Sequence, residues 1–178
     1  VALQSSDSCR RLSMGPARID SIWRNPDAAS PANLHAVVLE CAEVQEHYVE
    51  AVRVRVGRVA LVVHRVCPVE NPAQALIQRF CNEASQREPF NRSESFEIHN
   101  YQVFTPQKAG IDYSVNSWVR CKTAKLAADN RPVILVEQDL NTLATEMESR
   151  RFDPAQVHAF FRVAAVEADE ILRKYFPG

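Results

Sequence analysis

Between Ser93 and Thr142 apolar and polar residues alternate with period two in three successive segments, separated by short breaks rich in turn residues. In the middle segment Tyr113, Val115, Val119 and Cys121 share one parity, while Ser114, Asn116, Trp118, Arg120 and Lys122 share the other. The first segment, Phe96 to Phe104, sets Phe96, Ile98 and Phe104 against Glu97, His99, Tyr101 and Val103. The third opens on the apolar run Val133 to Val136 and then sorts Gln138 and Leu140 from Glu137 and Asp139. Breaks at Pro106 to Gly110 and Ala127 to Pro132 carry the Pro, Gly, Asp and Asn that chain reversals use. The pattern predicts a three-stranded antiparallel meander with one apolar face and one polar face that carries a tryptophan.

Helical spacing dominates elsewhere. Ser30-Pro31 has the form of a helix start, a side-chain oxygen at the cap followed by proline at the first helical position. Leu34, Val37, Val38, Cys41, Val44, Tyr48 and Val52 continue it at i, i+3, i+4 spacing. Gly57 is placed to end this helix near Val56, although Val52 to Val56 also alternates as a strand would. Asn71-Pro72 starts a short helix through Leu76, Ile77, Phe80 and Cys81, and Asp153-Pro154-Ala155-Gln156 starts a third with Gln at the capping-box position. That last helix has the cleanest stripe in the chain: Val157, Phe160, Phe161, Ala164, Ala168, Ile171, Leu172 and Tyr175.

Ala17 to Arg24 and Arg58 to Val66 read as further strands, Leu143 to Arg150 as a short extra helix, and residues 1–16 as an extended lead-in. The expected fold is therefore a single α+β domain over residues 1–178. It has a mainly antiparallel sheet of about five strands with a C-terminal three-strand meander, packed by two long amphipathic helices and one or two shorter ones.

Composition narrows the class. A 178-residue chain that is 46% hydrophobic buries enough surface to fold without staples. No apolar run approaches the roughly 20 residues that span a bilayer, so a soluble protein is expected. The chain begins with Val, which suggests a trimmed or processed product of a longer chain. Five widely spaced cysteines, an odd number set mostly in apolar patterns, favour a reducing, cytoplasmic compartment. Arginine outnumbers lysine 17 to 4, a bias of GC-rich coding that points to a bacterial source. The net charge of −1 supplies no overall attraction to nucleic acid or to an anionic membrane.

The chemistry-bearing motifs are absent. Paired Cys or His spacings that would announce a metal site do not occur, and His35, His47, His64, His99 and His158 are scattered singly. With only four glycines there is no Gly-rich phosphate loop and no nucleophile elbow, and no cofactor is expected. Glu137, Asp139 and His99 could form an acid-base trio if their strands are neighbours. Arg53, Arg55, Arg58, Arg65, Arg120, Lys122 and Lys125 could form a basic patch, with Tyr101 and Trp118 stacking on bases.

The preferred reading is a non-enzymatic protein-binding or assembly protein, whose partner is another protein or a second copy. A small hydrolase-like enzyme and an arginine-rich nucleic-acid binder are the alternatives. Parity places the binding surface on the face formed by His99, Tyr101, Asn116, Trp118, Arg120, Glu137 and Asp139, because Trp, Tyr and Arg dominate interface hot spots. The competing expectation is that the long helix from Pro31 covers this face and makes Trp118 a second core.

Overall fold

The computed structural model describes residues 2–25, 33–106 and 111–176. The fold is α+β, with seven strands and three α-helices among the described residues. The one sheet of about five strands expected from the sequence is instead two antiparallel sheets, of three and four strands. The described residues belong to two compact units. One contains the chain through Val59, the Thr105–Tyr113 segment and the chain from Thr142 onward; the other contains Ala60–Phe104 and Ser114–Asn141.

In the first unit, β1 (Ala2–Gln4), β2 (Arg10–Met14) and β3 (Ile19–Trp23) form an antiparallel sheet in that order. Residues 1–16 are thus not an extended lead-in. Ser5 to Ser8 makes a turn in which Asp7 accepts hydrogen bonds from the Ser5 hydroxyl and the Cys9 N–H, while Ser8 takes a left-handed φ of 60°. Such side-chain-to-backbone bonds are what Ser and Asp bring to reversals. Strands of three and five residues are too short for their alternation to stand out in the sequence.

Helix α1 (Leu34–Val52) is capped by Asn33, whose side chain accepts from the Ala36 N–H. The Ser30-Pro31 start and the Pro106 to Gly110 break fall wholly or partly outside the described residues. The helix also stops before Gly57: Arg53 adopts φ 54°, its N–H still reaches the Val49 carbonyl, and Phe152 N–H donates to the Val56 carbonyl. Gly57 serves a different purpose, since a Cβ there would collide with the Met147 carbonyl oxygen. The expected helix at 143–150 is a single 3-10 turn, Ala144–Glu146.

Helix α3 (Pro154–Tyr175) has the capping box read from the sequence: Asp153 accepts from the Gln156 N–H at 2.7 Å, and the Gln156 side chain accepts from the Asp153 N–H at 3.1 Å. It packs against α1, with Val157, Phe160, Phe161, Ala164, Ala165, Ala168 and Ile171 buried.

The second unit is a four-stranded sheet in the order β4 (Ala60–Pro68), β7 (Pro132–Thr142), β6 (Val115–Lys125), β5 (Glu97–Phe104). The strand β4 therefore lies beyond β7, on the edge opposite β5. Helix α2 (Pro72–Phe80), capped by Asn71 and led by Pro72, packs against β6. One side of the sheet is buried through Val115, Val119 and Cys121 of β6 and Ile134, Val136 and Leu140 of β7. The polar Ser117 and Gln138 are buried on the same side by strict alternation.

Candidate functional site

The outer side of the four-stranded sheet carries the candidate site. Register fixes its layout. On one flank Val62 pairs with Asp139, His64 with Glu137 and Val66 with Leu135; on the other Glu97 pairs with Lys122, His99 with Arg120, Tyr101 with Trp118 and Val103 with Asn116. Side-chain contacts between Asn116 and Asn141 and between Arg120 and Glu137 set β6 against β7. Cross-strand partners share a face, so four rows run across the sheet. One is Val62, Asp139, Trp118 and Tyr101; the next is His64, Glu137, Arg120 and His99.

The aromatic row is exposed. Tyr101 and Trp118 are 52% and 44% accessible, and their rings lie 4.5 Å apart at 35°. Trp118 is therefore not a fully buried core side chain. Val62, Val66 and Val103, also on this side, are exposed as well. A chain of amide and hydroxyl bonds holds the rim: Tyr101 OH donates to Asn116 Oδ1 at 3.1 Å, Asn116 Nδ2 to Asn141 Oδ1 at 3.1 Å, and Asn141 Nδ2 to Asp139 Oδ1 at 2.8 Å.

The charged residues form a closed network. Arg120 sits 2.9 Å from Glu97 and 3.5 Å from Glu137, and Lys122 is 2.9 Å from Glu137. His99 Nε2 is 2.6 Å from Glu97 and accepts from Arg120 Nε at 3.1 Å. Partial burial alone would raise the Glu137 pKa, but the Lys122 hydrogen bond and charge, with His64 and Arg120, hold it below the usual carboxylate range. Glu137 is thus ionised at neutral pH.

All seven residues read from parity share this face, yet the acid-base trio is not assembled: Arg120 stands between His99 and Glu137, and Asp139 is bonded to Asn141. Of the residues read as a basic patch, Arg120 and Lys122 lie on this face. Arg65 pairs with Val136, hence on the opposite side of the sheet. Arg55 donates to the carbonyls of Met147 and Glu148, and Arg58 to that of Thr142. Reasoning from the meander missed His64, Val62 and Val66, because only the long-range β4–β7 pairing brings them here. Glu97 and Lys122 had the right parity and could have been included.

Among the described residues, no group of three or more His, Cys, Asp or Glu side chains is placed to hold a metal ion, and no helix is long and apolar enough to cross a membrane. No family model, no curated protein and no solved structure matches the chain.

Proposed function

We propose that the chain is a non-enzymatic protein-binding or assembly protein and that its partner docks on the outer side of the four-stranded sheet. The observation that carries this reading is the exposed Tyr101–Trp118 pair, which shares one side of the sheet with three exposed valines. Aromatic groups with few rotatable bonds, set on strands and braced by hydrogen bonds, lose little entropy when a partner covers them.

Electrostatics favours a protein over nucleic acid. Arg120 and Lys122 are already paired with Glu97 and Glu137, and Asp139 adds further negative charge, so phosphate would meet no surplus of cations. An acid-base role has less support, because Glu137 is held ionised and His99 is separated from it by Arg120. Five cysteines, none in a disulfide, support a reducing cytoplasmic setting.

The test is capture of the partner by cross-linking in the source cell, followed by Trp118→Ala and Tyr101→Ala. Cross-links should map to β5 and β6, and both variants should lose the partner while keeping the circular dichroism of the folded chain. A partner retained by both variants, or cross-linked elsewhere, would refute the proposal.

A further inference from the structure

Building on the docking reading above, we infer that the occupant of the outer sheet face is a second copy of this chain, packed sheet on sheet about a twofold axis parallel to β6 and β7. Three features of the face carry this.

The first is its chemistry. Tyr101, Trp118, Val62, Val66 and Val103 are all exposed on one side of one sheet, and Arg120, Lys122, Glu97 and Glu137 among them are paired with one another in the same plane. A face whose two cations are paired with its own acids, leaving Asp139 as the acid in excess, makes little demand on the sign of its partner's charge, and its own copy satisfies that condition.

The second is symmetry. A twofold axis lying midway between β6 and β7 sets β7 of one copy over β6 of the other, and β4 over β5. Glu137 then faces the Arg120 of the second copy, Asp139 faces its Trp118, and Val62 faces its Tyr101. The pairing of acid with base that already runs across the sheet is reproduced between the sheets, and an aliphatic side chain is set against an aromatic one. An isologous interface demands this self-complementarity, and stacked sheets pack about 10 Å apart with strands nearly aligned.

The third is area. Four strands about 4.8 Å apart, each presenting about 27 Å of length, offer about 500 Å² per copy, so a dimer buries about 1,000 Å² in all, near the lower bound for a specific interface. The association is therefore reversible and depends on concentration.

Sedimentation equilibrium on the full chain, from micromolar to sub-millimolar concentration, reads this directly. The wild type should pass from one to two copies, and Trp118→Asp should remain a monomer with unchanged circular dichroism. Two charge reversals give the decisive comparison. Arg120→Glu alone sets acid against acid across the twofold, and Glu137→Arg alone sets base against base; each should weaken the dimer about tenfold or more. In an equimolar mixture one heterodimer restores an acid-base pair at both symmetry-related sites, so the mixture should dimerise more tightly than either variant. A role confined within one chain predicts no such rescue. A mixture no tighter than its components, or a Trp118→Asp variant that still dimerises, overturns the inference. A wild type that stays monomeric but carries another protein on this face, lost with Trp118→Ala, overturns self-association and leaves the docking reading standing; a monomer whose partners ignore Trp118→Ala overturns both.

Discussion

Tyr101 and Trp118 face each other across the β5–β6 pair with ring centroids 4.5 Å apart and planes inclined by 35°, and both rings remain about half open to solvent. The pair is local in origin, since the two residues are directly opposite in register, and it requires no helix to hold it.

That arrangement separates binding from stability. Trp118→Ala removes an aromatic pair worth about 0.5–1.5 kcal/mol but opens no cavity, because the ring is 44% exposed. Urea titration should show a loss of about 1 kcal/mol. A loss of about 3 kcal/mol or more, the range for a buried aromatic, would mean that the ring belongs to a core.

Parity was legible wherever strands were long. The sorting of Gln138 and Leu140 from Glu137 and Asp139, and of Val115, Val119 and Cys121 from Trp118 and Arg120, recurs in the burial of β6 and β7. Side-chain direction follows from backbone geometry alone, which explains this. Caps with a local mechanism, Asn71 and Asp153, were equally readable. Pairing order was not: β4 meets β7 across more than sixty intervening residues, and nothing in either strand names its partner. The β1–β2 hairpin escaped for a different reason, because its strands are short and lack a clear period. Seven residues of the candidate site are therefore readable from parity, and the three contributed by β4, Val62, His64 and Val66, had to await the register.

Helix α3 should carry the largest single-residue stability effect. Phe160 is 1% exposed and meets Phe161 edge-on at 5.3 Å. Phe160→Ala should cost about 3–5 kcal/mol in urea titration. A value below about 1 kcal/mol would show that the ring is not integral to the core.

Gly57 makes a separate prediction, because the obstacle to a side chain there is backbone. The Met147 carbonyl that a Cβ would strike also accepts from Arg55 Nη2 at 3.3 Å, and the neighbouring 3-10 turn holds the segment in place. Gly57→Ala should therefore destabilise by about 1–3 kcal/mol, as overpacking does. Were the glycine merely a helix terminator, Ala would cost less than about 1 kcal/mol, and thermal unfolding distinguishes the two.

Alkaline pH probes the interior. Burial, with the Asp112 charge adding and Arg150 opposing, pushes the Tyr113 hydroxyl from its ordinary value of 10.0 to about 12. Burial likewise pushes the Cys121 thiol from 9.0 to about 11. Both groups hold their proton more tightly folded than unfolded, so their contribution to stability is complete below about pH 9. It declines as the pH rises and is lost beyond pH 11 to 12. Tyr113→Phe isolates one of the two. The Tyr113 hydroxyl oxygen is buried without a hydrogen-bond partner among the described residues, while its ring packs edge-on against Phe152 at 5.0 Å and lies under Arg150. Phenylalanine keeps the ring contacts and discards the orphan hydroxyl, so stability at neutral pH should change by no more than about 0.5 kcal/mol or should rise. Between pH 10 and 12 the variant should lose stability less steeply than the wild type, the two curves separating by up to about 1.4 kcal/mol per pH unit. Parallel curves across that window, or a neutral-pH loss above about 1.5 kcal/mol, would mean that the hydroxyl is bonded in the folded chain and that burial does not control its proton.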